Sequence, residues 1–258
     1  MSKTLKIALI QTSLHWEDPQ KNRNMFEGKI NAISNDVDLI ILPEMFTSGF
    51  TMTPQNLDST EGLKTVQWMQ DLANQKDTAL VGSVVIQEGD LFYNRLFFVN
   101  PDGTYKTYDK KHTFTLAGED KVYIAGTERL TLEYKGFRIC PLICYDLRFP
   151  VWARNTSEYD VLIYVANWPV RRINAWDTLL KARAIENMSY AIGVNCLGTD
   201  GLGYEYPGHS AAYDVLGEPL AYSEKEEVLY ATLEKEHVIS IREKLKFLED
   251  RDDFSLRG

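Results

Sequence analysis

No stretch of this chain approaches the ~20 consecutive apolar residues that a bilayer-crossing helix needs, so no membrane span is expected. Cysteine is scarce: Cys140, Cys144 and Cys196 are the only three. An odd number without dense spacing does not make a disulfide framework, and it suits a reducing compartment. The four histidines, His15, His112, His209 and His237, are scattered. There is no His-x-x-x-His and no Cys-x-x-Cys, so no metal site is expected. Positive charge is in short supply, with 28 Lys and Arg against 37 Asp and Glu and a net charge of −9. Nucleic-acid affinity rests on cations that neutralise phosphates, so a nucleic-acid partner is not expected. A small anionic substrate remains open, because one local Arg can hold it. The acidic cluster Glu249, Asp250, Asp252 and Asp253 reads as a solvated end. A dinucleotide-binding glycine loop is missing too. Gly198, Gly201 and Gly203 have the wrong order, and residues 204–207 open no helix, so the segment reads as a loop. No repeat, low-complexity tract or linker divides the chain, and one domain is expected over residues 1–258. Met1-Ser2-Lys3-Thr4 leads straight into a strand-like stretch with no apolar leader, so no signal peptide and a cytoplasmic location are expected.

What is present is an ordinary globular composition, 44% hydrophobic and 25% charged. Leu5 to Ile10, Val37 to Leu42 and Ala79 to Ile86 are short apolar runs that predict buried strands. Between them, Asp18-Pro19 starts a helix with Met25, Phe26, Ile30 and Ile33 at helical spacing. Thr65, Val66, Met69, Leu72 and Ala73 predict a second helix. Leu91 to Val99 and Tyr105 to Tyr108 flank Asn100-Pro101-Asp102-Gly103, which has the residue preferences of a type I turn, so a hairpin is predicted. A further strand pair surrounds Lys135-Gly136. The alternation then repeats: strand 161–165, a helix through Trp176, Leu180 and Ala184, and strand 191–194. Two hairpin-like pieces follow at His209 to Tyr213 and Val228 to Leu233, and a closing helix carries Val238, Ile241, Leu245 and Leu248. This order predicts an α/β protein.

Three segments place chemistry at strand ends, where α/β sheets gather ligands. Leu39-Ile40-Ile41-Leu42-Pro43-Glu44 sets a carboxylate directly after a buried strand. Tyr108-Asp109-Lys110-Lys111-His112 sets lysines at the end of the predicted hairpin. Leu142-Ile143-Cys144-Tyr145-Asp146-Leu147-Arg148-Phe149-Pro150 ends an apolar strand on a cysteine. Taken singly, the first two also read as solvated loop charges, and a buried cysteine is often only a small hydrophobe. Cys140 and Cys196 read that way.

Taken together, the segments resemble the carbon–nitrogen hydrolase (nitrilase) superfamily, in its omega-amidase-like branch. Glu44, Lys110 and Cys144 match its Glu–Lys–Cys triad in chain order, and Glu119, with Tyr123 and Ala125-Gly126, resembles its second glutamate. Ala166-Asn167-Trp168-Pro169 and Arg183-Ala184-Ile185-Glu186-Asn187 are further matches. The family commonly reads Lys-x-His-Leu-Phe where this chain has Lys110-Lys111-His112-Thr113-Phe114; spacing to His112 selects Lys110. The resemblance implies a single αββα four-layer sandwich, a homo-oligomer and no cofactor. It also implies hydrolysis of a small 2-oxo dicarboxylic monoamide, of the 2-oxoglutaramate or 2-oxosuccinamate type, through a thioester on Cys144. Another amidase of the superfamily, acting on N-carbamoyl amines or aliphatic amides, and a noncatalytic scaffold are the alternatives. In the expected mechanism Glu44 is the base, and the backbone N–H of Tyr145 joins Lys110 at the oxyanion. Arg148 is expected to hold the substrate carboxylate or else to pair with a residue such as Asp146; Arg171 and Arg172 are weaker candidates. Phe46 and Trp168 are expected to wall the site or to be core.

Overall fold

From Ile7 onward every residue of strand β1 (Thr4–Gln11) is buried, because both faces of its sheet are covered. That is why the strand reads as a continuous apolar run rather than an alternation. The computed structural model describes residues 3–255, so Met1 and Ser2 of the N-terminal reading lie outside the described residues. After β1 come α1 (Pro19–Ala32), β2 (Leu39–Ile41), α2 (Glu61–Lys76), β3 (Ala79–Glu88), β4 (Leu91–Val99) and β5 (Tyr105–Asp109). Then follow β6 (Leu132–Tyr134), β7 (Phe137–Ile143), α3 (Pro150–Ala153), β8 (Val161–Ala166), α4 (Ile173–Asn187) and β9 (Tyr190–Asn195). The rest is β10 (Leu197–Thr199), β11 (Glu205–Pro207), β12 (Ser210–Tyr213), β13 (Pro219–Ser223), β14 (Glu227–Glu234) and α5 (Lys235–Leu245).

Local signals account for the elements. The Asp18 side chain accepts the Lys21 N–H at 3.1 Å and Pro19 opens α1, the expected cap. Gly103 N–H donates to Asn100 C=O at 2.9 Å, closing the expected turn between β4 and β5. α2 ends where Asp77 adopts φ +50°, a left-handed stop.

Two six-stranded sheets result, in the orders β14-β1-β2-β3-β4-β5 and β13-β12-β9-β8-β7-β6. Each has a parallel core, β1-β2-β3 in one and β7-β8-β9 in the other. One apolar cluster joins Phe26 and Ile30 of α1 and Met69 and Leu72 of α2 to Ala8, Ile10, Ile40 and Leu80 of the first sheet. A second runs from Leu5, Ile7, Leu39 and Val81 of that sheet through Phe137, Leu142 and Ile163 of the other to Trp176, Leu180 and Ala184 of α4. The layers are therefore helix, sheet, sheet, helix, as expected. A side chain at Gly193 of β9 would meet Leu180 and Trp176 at 2.5 and 2.6 Å, so glycine there permits the close approach of α4.

Three features differ from the sequence reading. The segment after β9 is not all loop: β10 and β11 pair around residues 200–204. Strand β12 makes its hairpin with β13, whose mostly exposed residues carry little apolar signal. The other expected hairpin piece, β14, crosses to the first sheet and runs antiparallel to β1.

Candidate active site

The carboxyl ends of the parallel strands converge at one end of the sandwich. Glu44 lies three residues beyond β2, Cys144 follows β7 directly, and Asn167 follows β8. Lys110 follows β5, with its N–H donated to Asn94 C=O at 3.0 Å and its own C=O accepting Gly126 N–H at 2.9 Å. Glu119 opens a one-turn 3-10 helix after Gly118.

Glu44, Lys110 and Glu119 are buried and directly bonded. Lys110 Nζ donates to Glu44 Oε1 at 2.8 Å and to both oxygens of Glu119 at 2.9 Å. Glu44 Oε2 accepts the Asn167 N–H at 2.9 Å, and Asn167 Nδ2 holds the Glu44 carbonyl at 2.6 Å. Glu119 Oε2 also accepts the Phe114 N–H at 2.5 Å. Burial opposes the charge on Lys110, but the carboxylates of Glu119 and Glu44 outweigh it and hold the ammonium above its usual range. Burial pushes Glu119 up against the counter-effect of Lys110, with Glu44 adding to the rise.

Cys144 has φ +42°, a left-handed conformation that costs a non-glycine residue roughly 1–2 kcal/mol. Asp146 secures the turn that follows by accepting the Ile143 N–H at 3.0 Å. The Cys144 thiol faces the Asn167 carbonyl at 3.9 Å. Burial, then the charge of Glu44, pushes this thiol well above the ordinary range, so the resting group is S–H.

Lys110 and Cys144 open on a cavity of about 270 Å³, whose wall includes Phe50, Tyr145, Arg148, Trp168 and Arg172. The Arg148 guanidinium lies 5.0 Å over the Trp168 ring, and that of Arg172 lies 4.8 Å over Phe114. The Trp168 indole N–H donates to the Arg172 carbonyl at 2.8 Å, so one ring supports both cationic residues. Neither arginine has a carboxylate partner among the described residues. Asp200, also on the wall, is occupied by Tyr206 OH and by the Leu202 and Tyr204 N–H groups, each at 2.9 Å.

The structure thus brings together Glu44, Lys110, Glu119, Cys144, Tyr145, Arg148 and Trp168. It does not bring Phe46. Met45, at φ +42°, redirects the chain after Glu44, and Phe46 packs against Phe26 and Trp68 on the helical side of the first sheet. Phe50 takes the place on the cavity wall expected for Phe46. The expected alternative partner of Arg148, Asp146, is instead engaged by His112 at 2.8 Å. Arg172 lines the cavity, whereas exposed Arg171 does not. The sequence reading missed Asn94, a buried amide inside β4 whose only signal is its presence in an apolar strand. No helix of the described residues is long and apolar enough to cross a membrane.

Comparison with known proteins gives a consistent result. The family model described as carbon-nitrogen hydrolase matches residues 6–243. The chain is 44% identical to the omega-amidase YafV of Yersinia enterocolitica, over 98% of this chain and 99% of that one. It is 32% identical to the 2-oxoglutaramate amidase of Bacillus subtilis, over 95% and 96%. A crystal structure from Xanthomonas campestris, of a CN-hydrolase superfamily protein with an arsenic adduct in its active site, superposes with a TM-score of 0.95 at 40% identity, covering 98% of this chain and 99% of that one.

Proposed function

Because the chain belongs to the carbon–nitrogen hydrolase family, we propose that it is an omega-amidase. It hydrolyses the terminal amide of a small 2-oxo dicarboxylic monoamide, 2-oxoglutaramate or 2-oxosuccinamate, to the acid and ammonia. The observation that carries this reading is the Lys110 ammonium held between two buried carboxylates beside the Cys144 thiol, on a cavity walled by two arginines that have no carboxylate partner among the described residues.

The thiol is protonated at rest, so attack needs a base. Glu44 takes the proton as sulfur bonds to the amide carbon. The carbonyl electron pair moves onto oxygen, where Lys110 and the Tyr145 N–H meet it. That N–H lies in the first turn of the Cys144–Arg148 3-10 helix, where backbone donors have no intrahelical partner. One such donor is typically worth ~10²–10³ in rate. When the intermediate collapses, the C–N bond breaks, Glu44 returns the proton to nitrogen, and ammonia leaves a thioester on Cys144. Water then attacks the thioester with Glu44 again as base, and the acid departs as Cys144 regains its proton. Glu119 keeps Lys110 charged and aimed. Arg148 offers its fork to the substrate carboxylate, with Trp168 as its platform. The reading includes a reducing cytoplasm, which suits three unpaired cysteines.

The test is ammonia release from 2-oxoglutaramate, 2-oxosuccinamate, N-carbamoyl amines, neutral aliphatic amides and an aliphatic nitrile, with Cys144→Ala as control. Preference for the 2-oxo amides, abolished in the variant, is expected. Preference for a neutral amide or a carbamoyl amine would discard the substrate class. Retained turnover by Cys144→Ala would discard the nucleophile.

A further inference from the structure

Asn94 touches three of the four groups placed in this chemistry. Its backbone carbonyl accepts the Lys110 N–H at 3.0 Å. Its side-chain nitrogen donates to Glu44 Oε1 at 2.8 Å and to Glu119 Oε1 at 3.3 Å. An amide nitrogen has two hydrogens, one for each carboxylate. The reverse orientation would set a carbonyl oxygen against two carboxylates, so the assignment of N and O is forced. The remaining oxygen, Asn94 Oδ1, is buried and has no partner among the described residues.

An apolar side chain in this strand would remove the orphan oxygen but would also take one donor from each of the two buried carboxylates, which costs stability. The residue is explained by what its two N–H groups do. Lys110 supplies one positive charge to two carboxylates, and like charges in a shared buried site drive one of them towards protonation. A neutral double donor between them favours the charged forms without cancelling the ammonium that the oxyanion needs.

We infer that Asn94 is a positioning residue that gives one N–H to each carboxylate of the Glu44–Glu119 pair and so fixes Glu44 as the base. The inference rests on Glu44 serving as that base. The other titratable groups around the pair are Lys110, Cys144, Cys196, Tyr123 and Tyr206; none supplies a neutral donor in this position.

The experiment compares Asn94→Leu and Asn94→Asp with the wild type, on whichever amide of the panel the wild type hydrolyses best. It measures kcat and KM against pH together with the thermal midpoint. Loss of a donor to the charged form moves the acid limb of the profile to higher pH. Asn94→Leu is expected to lower the thermal midpoint, to lower kcat ~10-fold on the acid limb of the profile, which is the effect of about one pH unit, and to leave KM nearly unchanged. Asn94→Asp adds a third carboxylate of the same shape and is expected to move the limb further. An unshifted acid limb in either folded variant overturns the assignment. So does wild-type kcat on the acid limb in Asn94→Leu. If Asn94→Leu does not fold, Asn94→Asp alone decides. A preference for another amide leaves the test intact, whereas a wild type that hydrolyses no amide removes both this assignment and the proposed function.

Discussion

The Asp146 carboxylate and the His112 imidazole join the strand end that carries Lys110 to the turn that begins at Cys144. Asp146 Oδ1 accepts the His112 N–H at 3.0 Å and faces its Nδ1 at 2.8 Å. Oδ2 accepts the Tyr108 hydroxyl at 2.8 Å and the Ile143 N–H at 3.0 Å. An ionised carboxylate only accepts, so Nδ1 is the protonated ring nitrogen. The His112 ring is stacked on Phe149 with centroids 3.6 Å apart, which leaves it little freedom to swing away.

Asp146→Ala should therefore cost both stability and activity. It strands the Tyr108 hydroxyl, two backbone N–H groups and the His112 ring N–H without an acceptor, and even one such loss costs about 1–3 kcal/mol. Urea unfolding should show a loss of at least ~2 kcal/mol, with turnover reduced because Lys110 and Cys144 are no longer tied together. An unchanged unfolding midpoint with wild-type turnover would mean that the joint is ornamental.

Arg148→Met should discriminate between substrates. A charge-assisted bond is worth about 1.5–3 kcal/mol, so kcat/KM for carboxylate-bearing amides should fall roughly 10- to 100-fold. Neutral amides of the same length should change little. Arg172→Met should give a smaller loss with the same selectivity. Equal losses on neutral amides would recast both arginines as supports of the Trp168 and Phe114 rings.

Stability should fall as the solution becomes alkaline. Burial pushes Cys140 up to about 12 and Cys144 and Cys196 well above the ordinary thiol range. The unfolded thiols lose their protons near ~8.5, so above that pH the unfolded state binds fewer protons than the folded one. A raised folded value makes the stabilisation complete below the unfolded value and lost as pH rises. Lys110, also raised, acts in the same direction at higher pH. Each thiol should remove roughly 1 kcal/mol per pH unit beyond its unfolded value. Denaturant midpoints that stay level from pH 8 to pH 10 would contradict this.

Much of the site was legible because it lies at strand ends. Glu44 and Cys144 interrupt apolar runs with chemistry, and that interruption survives in one dimension. Phe46 reads as wall or as core because a single backbone angle at Met45 decides which side of the sheet the next ring meets, and the residue types do not encode it. Asn94 escaped because its meaning lies in two carboxylates 50 and 25 residues away. Strand β14 was recognised as a strand but not sent to its sheet. Alternating burial looks the same beside β1 as it would beside β13, and only the closed layers choose between them.

The pairing of β14 with β1 runs from Thr4 opposite Glu234 to Gln11 opposite Glu227. During synthesis this leaves the first sheet with an open border along β1 while β2 to β5 and the entire second sheet emerge from the ribosome. An unpaired border is a template for other chains. The earliest of the described strands is thus joined by the latest of them, and the interval in which its border stands open is written into the order in which the strands are translated.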